Sequence, residues 1–116
     1  MKLPNAEQAI VAREKIAEYL LHAAHPDNGG KARFFEGLGF RRAEWQVLAD
    51  AFRSLAGKAE VAQSMKSPHG RKYVVIGNIE SPGGKSPKVK TIWIVDRGVE
   101  VARLVTAYPQ EEWGAS

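Results

Sequence analysis

The chain contains no cysteine. That excludes thiol catalysis, disulfide staples and cysteine-held zinc or iron–sulfur centres, and it suits a reducing compartment. Long apolar runs are missing too. Nowhere do about 18 apolar residues follow one another, as a membrane helix requires. The opening residues, MKLPNAEQAIVAREKIAEYLL, are interrupted by Glu7, Arg13, Glu14, Lys15 and Glu18, so no apolar stretch of a secretory signal forms. These absences predict a cytoplasmic protein with no membrane contact. Also absent are G-x-G-x-x-G, the phosphate loop G-x-x-x-x-G-K-[ST], H-E-x-x-H and G-x-S-x-G. Their absence argues against nucleotide-cofactor enzymes, zincins and α/β-hydrolases, and no cofactor is expected.

What is present fits one domain spanning residues 1–116, with an ordered core over 3–109 and a frayed tail over 110–116. A chain of 116 residues buries about 65% of its unfolded surface, enough to fold without staples. The net charge of +4 is unevenly spread. Residues 1–57 are nearly balanced. Residues 66–90 hold Lys66, Arg71, Lys72, Lys85, Lys88 and Lys90 against the single acid Glu80. Two explanations fit that basic stretch: a phosphate-rich partner, or a solvated edge that resists aggregation.

The apolar pattern gives the element order. Asn5 after Pro4, with Gln8 three residues on, predicts a helix cap of the capping-box kind. Ile16, Tyr19, Leu20 and Ala23 recur at helical spacing, predicting a helix from Ala12 that stops before Pro26. The cluster Asp27-Asn28-Gly29-Gly30 reads as a turn. A second helix is expected over 31–38, closed by Gly39, and a third over 43–56, closed by Gly57. Residues 58–70 read as polar and irregular. Alternation then predicts a strand through Lys72–Gly77, a loop over 81–87 and a strand over Val89–Val95. A hairpin turn at Asp96-Arg97-Gly98 and a last strand over Val101–Tyr108 complete the order. The class is α+β, with about three N-terminal helices packed on a C-terminal antiparallel sheet of three or four strands.

Several residues have chemistry to offer, each beside a plainer role. His22 and His25 stand three apart, but only His69 could join them, so no metal site is expected. His25 either caps the first helix or acts in proton transfer. Lys31, across the glycine turn, is either solvated or part of an anion site at the next helix start. Arg71 suits phosphate contact and transition-state charge, or pairs with an acid. Lys72 takes the opposite face from Arg71 and Tyr73. Thr91 and Trp93 share a strand face, in the core or under a stacked base. Thr106 and Tyr108 share another, where hydroxyls could hold phosphate or orient a nucleophile.

Taken in order, the stretches Leu3-Pro4-Asn5-Ala6-Glu7, Tyr19-Leu20-Leu21, His25-Pro26, Lys31-Ala32-Arg33-Phe34-Phe35, Leu38-Gly39-Phe40, Gly70-Arg71-Lys72-Tyr73, Thr91-Ile92-Trp93-Ile94-Val95 and Arg103 to Pro109 resemble an uncharacterised bacterial domain-of-unknown-function family. More loosely, helices followed by an antiparallel sheet ending in Thr-Ala-Tyr-Pro look like the barnase–EndoU–colicin–RelE superfamily of metal-independent ribonucleases and toxin domains. That resemblance implies catalytic roles for His25, Lys31, Arg71 and Thr106 and no metal. With the strand-face readings above, RNA is expected to lie on the basic sheet face against Lys72, Tyr73, Thr91, Trp93 and Tyr108, and a small antitoxin or immunity protein is the expected protein partner. Its members carry four or more strands, whereas three are plain in this sequence. The alternative is a non-catalytic nucleic-acid-binding or protein-interaction module of a toxin-type locus.

Overall fold

In the computed structural model, which describes residues 1–25 and 30–110, the N-terminal half supplies three helical pieces. Helix α1 begins as an α-turn, Arg13–Lys15, and continues as a π-helical turn, Ile16–Leu20. It buries Ile16, Ala17 and Leu20. Helix α2 spans Lys31–Gly37. Helix α3 spans Trp45–Lys58, entered through a 3₁₀ turn at Arg42–Glu44, and buries Leu48, Ala49, Phe52, Leu55 and Ala56. Four strands follow: β1 (Val61–Ser67), β2 (Gly70–Asn78), β3 (Lys88–Asp96) and β4 (Arg103–Pro109). They form one antiparallel sheet in the order β1-β2-β3-β4. No helix among the described residues is long and apolar enough to cross a membrane.

Cross-strand register assigns the two faces. Tyr73 pairs with Trp93, and Val75 with Thr91, which in turn pairs with Ala107. All five are buried, and this face packs on the helices. Phe35 joins the core edge-on to Phe52, with ring centroids 5.9 Å apart. Each large side chain buried this way contributes about 1.5–3 kcal/mol. The opposite face carries Lys72, Val74 and Ile76 on β2, Lys90, Ile92 and Ile94 on β3, and Thr106 and Tyr108 on β4.

One irregularity decides where Thr106 points. Ile92 pairs with Thr106, but Trp93 pairs with Leu104, so Val105 is an extra residue, a β-bulge. Leu104 therefore faces inward while Thr106, two residues on, faces outward. The free edge of β4 is covered at its start by the N-terminal segment. Ile10 N–H donates to the Ala102 carbonyl at 2.8 Å, and Leu104 N–H to the Ile10 carbonyl at 2.9 Å. Beyond that point α1 and the start of α2 flank the edge.

The structure departs from the sequence pattern in five places. Residues 61–67 are not irregular but form β1. It is exposed through most of its length, so it is held by its ladder to β2 and shows no apolar alternation. Helix α1 ends near Leu21, not at Pro26, because Leu21 N–H closes the π turn on the Ile16 carbonyl at 2.8 Å. Gly57 does not stop α3, which runs on to Lys58 and ends where Ala59 turns extended. Gly39 does follow α2 in the left-handed conformation, at φ +98°. Asn5 caps nothing with its side chain; it sits at φ +51° and donates to the Glu100 carbonyl at 2.9 Å. The β3–β4 connection is longer than a tight hairpin, since β4 starts only at Arg103. The turn residues 26–29 and the tail residues 111–116 lie outside the described residues.

Candidate active site

The site is built around the first residue of α2. Gly30, at φ +87°, turns the chain into the helix beside the β4 edge, and Lys31 extends from that point. Its residue is only 8% exposed. Nζ donates to the Tyr19 hydroxyl at 2.7 Å and to the Thr106 hydroxyl at 2.9 Å. It also stands 4.0 Å from the centre of the Tyr108 ring and 4.9 Å from that of Tyr19. Among the described residues no carboxylate pairs with it. Hydroxyls and ring faces solvate an ammonium, but they do not neutralise it. Burying a cation without a counter-charge is costly.

A cleft of about 510 Å³ opens beside this group, between α1 and β4. Tyr19, His25, Thr106 and Tyr108 line it, together with Glu14 and Glu18. The His25 ring meets Tyr19 edge-on, with centroids 5.0 Å apart and planes at 77°. Glu18 is held by Arg13 at 3.5 Å and Arg42 at 3.2 Å. Thr106 accepts from Nζ, which leaves its own proton to be donated elsewhere. Lys15 lines the cleft as well, so with the adjoining Lys31 the site gathers two cations, hydroxyl donors, an imidazole and carboxylates. Those are the groups that bind a phosphate and move protons around it. Among the described residues no group of three His, Cys, Asp or Glu is placed to hold a metal ion.

Of the residues singled out in the sequence, His25, Lys31, Thr106 and Tyr108 meet here. The others do not. Arg71 sits near the far end of the sheet, opposite Val95, and donates to Ser64 Oγ at 2.9 Å. Two strand spacings of about 4.8 Å and three residues of about 3.3 Å put it roughly 14 Å from Thr106 in the plane of the sheet. The pleat also turns it to the helix-facing side. Its neighbour Lys72 shares the outward face with Thr106. Tyr73 is buried in the core.

Thr91 and Trp93 are both 0% exposed and satisfy each other. Trp93 Nε1 donates to Thr91 Oγ1 at 2.8 Å, and that hydroxyl donates to the Val75 carbonyl at 2.8 Å. No base can reach that ring, so the pair serves packing. Thr91→Val should cost about 1–3 kcal/mol in urea unfolding, because it strands the buried indole N–H. Cleft chemistry should be unchanged by it.

Sequence reasoning missed Tyr19. Its helical spacing with Ile16 and Leu20 read as core alone. A tyrosine buried on such a face usually finds a partner for its hydroxyl, and here the partner is Lys31.

Helices followed by a four-stranded antiparallel sheet, with a cleft between α1 and the last strand, define an α+β class. A family model for a domain of unknown function, DUF6883, matches residues 2–111, and the chain belongs to that family. No curated protein matches it. Among solved structures, a chain of the contact-dependent growth inhibition toxin–immunity protein complex from Klebsiella pneumoniae 342 superposes with a TM-score of 0.75. The match covers 92% of this chain and 97% of that one, at 16% identity. The likeness is one of fold.

Proposed function

We propose that this domain is a metal-independent ribonuclease of the toxin type, acting at the Lys31 cleft. The observation that carries this reading is the buried Lys31 ammonium, neutralised by no carboxylate among the described residues and held by Tyr19 and Thr106, which line the cleft together with His25. A phosphodiester supplies the missing charge. Lys31 and the Thr106 hydroxyl hold its non-bridging oxygens, and Tyr108, 41% exposed, flanks the neighbouring sugar and base. His25 and a cleft carboxylate, Glu14, then divide the proton transfers. One takes the proton of the 2′-hydroxyl as that oxygen attacks phosphorus. The other returns a proton to the departing 5′-oxygen. The products are a 2′,3′-cyclic phosphate and a 5′-hydroxyl, with no external reactant needed. Lys31 stabilises the charge that grows on the phosphorane.

Similarity to a chain of a toxin–immunity complex supports the toxin setting and adds an expectation. A protein partner would neutralise this domain by covering the cleft, with acidic groups toward Lys31. The test is direct. Purified protein incubated with end-labelled RNA in EDTA should yield fragments ending in cyclic phosphate. Intact RNA at high enzyme concentration would leave a binding module as the better description.

A further inference from the structure

The basic stretch of the sequence is not absorbed by the cleft. Three of the molecule's cations gather instead at the opposite end of the sheet. Lys66, Arg71 and Arg97 line one hollow of about 290 Å³ beside Ser67, Gly70 and Val95. Gly70 allows the hollow to form. It sits at φ +152°, and a Cβ there would fall 2.9 Å from the Asp96 Cα and still closer to the Val95 carbonyl oxygen. Only glycine brings the β1–β2 turn this close to β3, and Arg97 N–H then ties it down by donating to the His69 carbonyl at 2.9 Å.

The charges in the hollow are arranged against the protein's own stability. Lys66 and Arg71 are direct cross-strand partners. Like charges directly opposite one another destabilise a sheet. The nearest acid does not relieve them, because Asp96 is taken by Arg103 through two contacts of 2.8 and 3.2 Å. That hydrogen-bonded guanidinium holds the Asp96 carboxyl below the usual carboxylate range. Among the described residues no carboxylate pairs with Lys66, Arg71 or Arg97.

We infer that this hollow is a second phosphate site, which anchors the RNA chain several nucleotides from the bond that is cut. The inference rests on the ribonuclease reading for the identity of the ligand. Roughly 14 Å separates Arg71 from Thr106 in the sheet plane. At about 3.4 Å of axis per stacked nucleotide, the in-plane separation alone is about four nucleotides, and passing from one face to the other round the sheet end takes more. Lys72 stands between the two sites, on the outward face. The domain therefore acts on a strand long enough to reach round the sheet end. A dinucleotide would occupy the cleft alone.

The test uses Lys66→Gln/Arg97→Gln, two exposed positions away from the cleft, with Arg71→Gln alongside. Binding of a long single-stranded RNA with 2′-O-methyl sugars, which cannot be cut, is measured against salt by fluorescence anisotropy. The double variant should bind roughly tenfold more weakly. Its salt slope should fall by about 1.4, two phosphate contacts at about 0.7 each. For cleavable substrates, kcat/KM on the long RNA should fall through KM, while cleavage of a dinucleotide stays at the wild-type rate. Arg71→Gln should weaken binding in the same direction. An unchanged salt slope overturns the anchor even if the wild type cleaves RNA, and so does an equal loss on the dinucleotide. If the double variant keeps RNA affinity but loses an acidic protein partner, the hollow is a protein-docking site and the inference is wrong. A reduced slope in a protein that cleaves nothing upholds the anchor and removes the ribonuclease reading alone.

Discussion

Replacing Lys31 with methionine is expected to abolish most cleavage while leaving the fold as stable as before. Methionine keeps the unbranched stem that fills the space beside Tyr19 and Tyr108, and it removes only the ammonium. A buried cation with hydroxyl and ring-face partners but no counter-charge carries a desolvation cost that its contacts do not fully repay. Deleting it should leave unfolding free energy within about 1 kcal/mol of wild type, or above it. Loss of one preorganised group stabilising transition-state charge should cost about 10²–10³ in kcat. Urea unfolding and RNA cleavage on the same preparation read both quantities. A lysine kept for structure would give the reverse pattern, with a loss of about 2 kcal/mol or more and little specific effect on turnover. That outcome would remove the anion site from the account.

His25→Ala is expected to lower kcat by about 10²–10⁴, the usual contribution of a positioned acid or base. The side chain is half-buried and lies edge-on to Tyr19 at the cleft wall. Its removal should therefore cost about 0.5–1.5 kcal/mol of stability, the usual worth of such a ring pair. The expected signature is a fall in kcat with KM nearly unchanged, and partial rescue by added imidazole. A variant that cleaves as fast as wild type would assign both proton transfers elsewhere, with Glu14 the first alternative on the cleft wall.

The sequence exposed the class, most of the order of elements and a few of the residues at the cleft, for identifiable physical reasons. Helix α3 buries one face, and strands β2 and β3 turn Tyr73, Val75, Thr91 and Trp93 to the helices while Val74 and Ile92 are buried in the middle of the other face; the helical period was visible in Trp45 to Leu55 and the apolar strand pattern in Lys72 to Val95. Strand β1 was hidden because it buries almost nothing. Lys31 and Thr106 were legible as residue types with useful chemistry, but not as partners, since 75 residues separate them and only the β4 edge brings them together. Arg71 was misplaced for a related reason. Neighbouring strand residues alternate faces, so sequence could not say whether Arg71 or Lys72 shared a side with Thr106. Cross-strand register answered in favour of Lys72. Tyr19 and the two carboxylates of α1 were concealed by a helical pattern that explained them without any site.

The extra residue in the last strand belongs to the cleft more than to the ladder. Val105 pairs with nothing across the strands, yet it stands on the cleft wall beside Thr106. Removing it would leave Leu104 against Trp93 and Thr106 against Ile92 as ordinary neighbours, each keeping its side of the sheet. A strand shortened by that one residue should therefore hold its register while the wall beside Thr106 is remodelled.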